Sequence, residues 1–199
     1  QKELGDLLVL DVGGATTDVH SVTAGSEAVQ RIMIAPEPQA KRTVEGDLGT
    51  YVNRRNIFKK EKMEEVAARL GYTTEGSEAE IALAEELSRS AALQALIRHV
   101  GSYRSLYGPE GKKSVAEGKD LTAVKLLLAT GGALTRLPGR ERILRGVLTG
   151  LPGNTLAPSP DVAVGFDHDY IRAAGGALSV RYPEAALKLM KESIWPDRR

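Results

Sequence analysis

Cysteine is absent from these 199 residues, which excludes disulfides, thiolate metal sites and cysteine nucleophiles. The absence fits a reducing compartment, and a cytoplasmic location is the expectation. An excess of either charge is absent too. Lys and Arg number 27 against 26 Asp and Glu, so no global field favours nucleic acid or an anionic membrane as partner. No apolar run approaches the roughly 20 residues needed to span a bilayer, and the N-terminus lacks the basic-then-apolar layout of a signal peptide. The chain opens at Gln1 rather than Met and enters a strand-like run within a few residues, so a further N-terminal part is expected to precede it.

What is present is enough apolar content, 42% of residues, to bury a core as one large domain or a domain with an insert. The most informative stretch is Leu7 to Val22. Leu7–Leu10 is a continuous apolar run, Val19–Val22 alternates, and Gly13 and Gly14 stand adjacent where the chain reverses, so the segment reads as a β-hairpin. Asp11 closes the first strand, Ala15, Thr16 and Thr17 complete the turn, and Asp18 opens the second strand. Backbone N–H groups in such a turn form a nest for phosphate oxygens. The Thr hydroxyls donate to the same oxygens, and a carboxylate holds Mg²⁺ through water. The bland alternative is a tight hairpin with polar decoration.

Farther along, Val29–Ile34 reads as a third strand of an antiparallel meander, and the segment from Lys41 to Asn53 as a loop leading to a short helix. There Gly46 and Gly49 would let the chain approach the Gly13–Gly14 turn. Helical spacing predicts a helix over 59–69 and a longer one from Ser77 to about Tyr103, which carries His99 as a packed residue without chemistry. The lysine- and glycine-bearing stretch 108–119 reads as an exposed loop. Leu121–Thr130 predicts a strand that runs into Gly131-Gly132-Ala133, a glycine turn that admits a planar or phosphate group beside the backbone, with a helix starting near Pro138 or Gly139. A third glycine and a suitably spaced acidic residue are lacking, which argues against a nicotinamide cofactor. That helix runs over 140–148, and others follow at Asp169–Ser179 with Gly175 and Gly176 in its middle and at Pro183–Ser193, with a short strand at 162–164. The paired glycines imply that another element crosses closely there.

In their order, Asp11–Asp18, Glu45–Gly49, Gly131–Gly132 and Asp169–Ala177 resemble the second phosphate motif, the Gly-Asp segment, the adenosine motif and the second connecting helix of the actin-like ATPases. That superfamily includes sugar kinases, heat-shock chaperones and actin. Ala15 stands where many members have a third glycine, and Arg136 is displaced by one from the adenine-stacking arginine of the chaperone branch. Val12–Ser21, Ala40–Gly49 and Asp167–Ile171 with its trailing glycines are most similar to the glutamate mutase accessory proteins, the MutL family unrelated to mismatch repair.

The resemblance implies an α/β, ribonuclease H-like lobe: a mixed sheet of about five strands with an antiparallel meander, flanking helices and a helical insert at about 54–120. It makes residues 1–199 the C-terminal lobe of a two-lobed protein. It implies ATP and Mg²⁺ as cofactors, with Asp11 and Thr16 in catalytic roles and Asp11 or Asp18 ordering the metal. Gly13, Gly14, Ala15, Thr16, Thr17, Asp18, Gly46, Gly131, Gly132, Ala133 and Asp169 would line the nucleotide. The implied partner is an adenosylcobalamin-dependent mutase subunit, from which ATP would drive release of damaged cobalamin. A small-molecule kinase or an ATP-dependent scaffold of the same fold are the alternatives.

Overall fold

The computed structural model of the chain describes residues 4–58, 64, 77–109 and 111–195. In chain order its elements are β1 (Leu7–Val12), β2 (Thr17–Val22), α1 (Glu27–Gln30), β3 (Ala40–Glu45), α2 (Arg54–Ile57), α3 (Ser77–His99), β4 (Ser102–Gly108), β5 (Gly111–Glu117), β6 (Leu126–Thr130), α4 (Gly132–Arg136), α5 (Arg140–Thr149), β7 (Ala163–Phe166), α6 (Arg172–Ser179) and α7 (Pro183–Ile194). The helix expected over 59–69 lies outside the described residues except for Glu64.

Five strands form one mixed sheet in the order β3-β2-β1-β6-β7. The chain runs outward through the antiparallel β1, β2 and β3, then returns to the other side of β1 with the parallel β6 and β7. This is the α/β lobe with an antiparallel meander that the sequence implies. Its consequence is a topological switch point between β1 and β6, whose carboxyl ends, at Asp11 and Thr130, lie side by side in register. Ligand crevices of open α/β sheets form at such points because the two chains leave their strands in opposite directions.

Alternation sorts the strand residues between two layers. Leu8, Leu10, Val12, Val19, Leu127 and Ala129 face the main core, where α3 contributes Leu87, Ala91, Ala92, Ala95 and Leu96, and α5 contributes Ile143, Leu144 and Val147. Three fully buried alanines on α3 bring that helix close to the sheet. On the opposite face Val9 and Leu128 pack against Ile194 of α7. Among the described residues no helix is long and apolar enough to cross a membrane.

Several expectations need correction. Residues 29–34 are not a strand. Ser26 caps α1 by accepting from the Val29 N–H, and Val29, Ile32 and Met33 enter a separate small cluster with Ala116 and Leu156, a helical spacing that alternation at 29–34 concealed. The third meander strand is β3, inside the stretch read as a loop, because its polar residues belong to a sheet edge where burial demands little. Within the stretch 108–119 expected to be a loop, Gly108 ends β4 and 111–117 form β5, which pairs antiparallel with it and starts at Gly111 with φ +100°. The span 54–120 thus holds this strand pair besides α2 and α3. The strand at Leu121–Thr130 shortens to β6, with Leu121 and Val124 buried in the turn before it. The helix expected to start near Pro138 or Gly139 is α5, whose N-cap is Gly139, but a short helix that was not expected, α4, begins directly at Gly132.

Candidate functional site

Beyond β1 the Gly13 N–H donates to the Thr16 carbonyl at 2.9 Å, which closes the predicted turn. The segment 50–53 lies across one side of it. Thr50 donates to the Gly13 carbonyl (3.1 Å), Tyr51 and Val52 to that of Gly14 (2.9 and 2.8 Å), and the Asn53 side chain to that of Ala15 (3.1 Å). A trans peptide points its C=O and the following N–H in opposite directions. With these carbonyls turned toward residues 50–53, the N–H groups of Gly14, Ala15 and Thr16 point to the other side. Successive N–H groups directed to one side make a concave anion acceptor.

Close approach by that segment depends on Gly49, which is buried against the Ala15 backbone; a Cβ there would lie 2.6 Å from Ala15 Cα. Arg98 at the end of α3 holds the strand-to-loop corner by donating to Glu45 (2.5 Å) and to both oxygens of Asp47 (2.7 and 2.9 Å). That hydrogen-bonded guanidinium keeps the Asp47 carboxyl below its usual range. Gly46 itself is exposed, and its carbonyl accepts from Asn53 at 2.7 Å.

The two threonines diverge. Thr16, half-buried at the rim, donates its hydroxyl to Asp18 Oδ2 at 3.1 Å, while the other Asp18 oxygen accepts from Arg42 at 2.8 Å. Thr17 is fully buried and donates to the Leu48 carbonyl at 2.7 Å, so its hydroxyl serves the fold. On the sheet face that carries Asp18, opposite to Thr17, Asp11 Oδ2 accepts from Arg172 Nη2 at 2.8 Å. His20, between the two ion pairs, is held below its ordinary pKa, by burial first and then by the positive charges of Arg172 and Arg42.

The second glycine pair arrives at the same sheet end. Gly131 has φ +89°, and a Cβ on it would lie 2.6 Å from the Val12 N and 2.7 Å from Asp11 Oδ1, so only glycine lets β6 turn this close to β1. A Cβ on Gly132 would meet nothing within 4 Å. In front of it opens a cavity of about 640 Å³, walled by Ile81, Ala84 and Leu87 of α3 and by Ala133, Leu137 and Pro138. Thr50, Tyr51, Arg54, Glu80 and Arg136 supply its polar rim. Few polar groups on apolar walls are the make-up of a small-molecule pocket.

Asp11, Gly13, Gly14, Ala15, Thr16 and Asp18 therefore sit at one sheet end with Gly131, Gly132 and Ala133. Asp169 does not join them: it is exposed, and its N–H donates to Ser193 Oγ at 2.9 Å. The carboxylate that does join them is Asp167, 2% exposed. It accepts from Thr130 Oγ1 (3.1 Å), Ser193 Oγ (2.9 Å) and the N–H groups of Ile171 and Arg172 (3.1 and 3.0 Å). Burial alone would raise its pKa, but these four donors outweigh burial and lower it. Asp167, Thr130 and Arg172 were not among the site residues expected from the sequence, although Asp167 opens one of the motifs that carry the family resemblance. For Arg172 the available signal was a single charged residue opening the Ala/Gly-rich helix α6. Among the described residues no group of three or more acidic or His side chains gathers as an all-protein metal site; one or two carboxylates beside phosphate oxygens are what Mg²⁺ ordinarily uses.

The family model described as MutL protein matches residues 1–194. Protein MutL of Clostridium tetanomorphum is 33% identical over 210 residues, which cover 96% of this chain and 46% of that protein. The chain spans about half the length of this curated relative.

Proposed function

Because the chain belongs to the MutL family, we propose that it is the C-terminal, nucleotide-binding lobe of an actin-like ATPase that serves as accessory protein to an adenosylcobalamin-dependent mutase of the glutamate mutase type. The observation that carries the nucleotide reading is the meeting, at one switch point of the sheet, of a turn that directs three N–H groups to one side and a glycine pair that opens on a 640 Å³ cavity. Phosphate and base are the two ends of one ligand, and these are two acceptors of matching chemistry.

In this reading the N–H groups of Gly14, Ala15 and Thr16 receive phosphate oxygens, and the Thr16 hydroxyl turns from Asp18 to them. Asp11 or Asp18 orders Mg²⁺, and Asp11 is the better placed because it is the penultimate residue of β1, beside both turns. The cavity beside Gly132 and Ala133 takes the adenosine, its apolar walls desolvating the base and its polar rim bonding ribose and ring nitrogens. Bound Mg-ATP supplies the free energy of binding and hydrolysis, which closure of the lobes passes to the mutase, releasing damaged cobalamin. The partner assignment rests on the family; the described residues support the nucleotide site alone.

The test is calorimetric titration of the full-length protein with Mg-ATP, beside ATP-dependent recovery of a mutase inactivated by damaged cobalamin. Thr16→Val and Gly132→Val should each weaken nucleotide binding at least about tenfold, equal to about 1.4 kcal/mol, with the melting temperature unchanged. Undetectable binding, or unaffected variants, would overturn the site.

A further inference from the structure

We propose that Arg172 is a positioning residue that holds the Asp11 carboxylate and transmits occupancy of the Gly13–Thr16 turn to helix α6. The inference rests on the nucleotide reading and adds to it a residue that neither sequence pattern nor family assigns. Arg172 and Asp11 lie 161 positions apart, yet their side chains meet at 2.8 Å, and each is only about a quarter exposed, at 23% and 28%. The pair is therefore shielded enough to outweigh an ordinary surface ion pair.

Arg172 is also the first residue of α6, and its backbone N–H donates to Asp167 Oδ2. That same oxygen accepts from Thr130, which pairs in register with Asp11 and precedes Gly131. Asp11, Arg172, Asp167 and Thr130 thus form a closed ring that joins the ends of β1 and β6 to the start of α6. The guanidinium is incompletely satisfied within it: among the described residues the buried Arg172 Nε has no hydrogen-bond partner. A single N–H on one carboxylate oxygen, in place of the two-pronged pairing arginine prefers, leaves the contact easy to shift. The other carboxylate oxygen, Oδ1, lies beside Gly131 at the turn.

A cation arriving at Asp11 competes with the guanidinium for the carboxylate and repels it, the more strongly because water is partly excluded. Arg172 then loosens, and the first turn of α6 loosens with it. The readout is hydrogen exchange at the Ile171 and Arg172 amides of the full-length protein, with and without Mg-ATP, while calorimetry reports binding independently. Mg-ATP should speed exchange there at least about fivefold, the lower end of ordinary coupling between sites. Arg172→Gln should bind Mg-ATP and show fast exchange that no longer responds. Should that variant fail to fold, Asp11→Asn, which keeps the shape of the side chain, serves in its place: without nucleotide it should exchange at these amides as fast as the Mg-ATP-bound wild type. Binding by the wild type without a change at α6, or an Arg172→Gln protein that responds as the wild type does, overturns the inference while the nucleotide site stands. Absence of Mg-ATP binding overturns both.

Discussion

Gly49 packs against Ala15 so closely that a Cβ on the one would stand 2.6 Å from the Cα of the other, with the Ala15 carbonyl group closer still. Gly49→Ala should therefore push residues 50–53 off the turn, at a cost of about 1–3 kcal/mol. A thermal melt measures the loss. Gly46→Ala, where a Cβ meets nothing within 4 Å, is the control and should not shift the melt. Equal melts for both variants would show that the segment does not depend on this contact.

Gly131 and Gly132 are adjacent but do different work, and alanine separates them. Gly131→Ala forces a side chain into the left-handed region and into Val12 and Asp11, with an expected cost of about 1–3 kcal/mol from strain alone. Gly132→Ala should leave stability unchanged. Chemical denaturation of the two variants gives the comparison, and a Gly131→Ala protein as stable as the wild type would contradict the φ of +89°.

His99 gives stability a pH dependence. The imidazole is fully buried between Ser21 Oγ (2.8 Å) and Thr43 Oγ1 (3.0 Å), and burial, reinforced by the charges of Lys41 and Lys119, lowers its pKa to about 3. The unfolded chain takes up this proton near pH 6.5 and the folded chain resists it. The stabilisation is complete above about pH 6.5 and is lost as pH falls toward 3, with a slope approaching 1.4 kcal/mol per pH unit from this one group. Unfolding at pH 7, 6 and 5 should show that slope, and His99→Gln should flatten it. A variant with the same pH dependence as wild type would assign the effect to other groups.

The paired glycines of α6 part company in the same way. Gly175 is buried against α7, where a Cβ would lie 2.8 Å from Met190 Cγ, whereas Gly176 is exposed with nothing nearby. The close crossing expected of both thus applies to Gly175 alone, and the crossing element is α7. Gly175→Leu should overpack and cost about 1–3 kcal/mol. Gly176→Ala should stabilise by about 0.5–1 kcal/mol, because alanine favours the helix. Thermal melts of the two distinguish the faces.

The turn between β1 and β2 was legible in the sequence because everything that forms it lies within sixteen residues: an apolar run, two glycines where the chain reverses, and alternation afterwards. The Gly131–Gly132 turn was legible for the same local reason. Sequence also pointed to α5 and its start beside Gly139, but not to α4, whose five residues are too few to show a helical period. The strand expected at 29–34 failed because Val29, Ile32 and Met33 fit more than one period, and β3 was missed because an edge strand of polar residues has no apolar pattern. Ser26, which caps α1, is itself held by Asp120, whose carboxylate accepts from the Ser26 N–H at 2.7 Å, ninety-four positions away.

The tertiary structure alone decided which polar groups work together. Asp167 and Asp169 are indistinguishable as letters, and so are Thr16 and Thr17. Two residues apart at the end of a strand, one carboxylate is drawn under the N–H groups of α6 and the other is left in water. One residue apart at the start of a strand, the pleat turns one hydroxyl to the rim and the other into the core. The pairing of Asp11 with Arg172 arises only after β6 inserts beside β1 and β7 beside β6, because strand order, and not distance along the chain, brings the end of β1 to the start of α6.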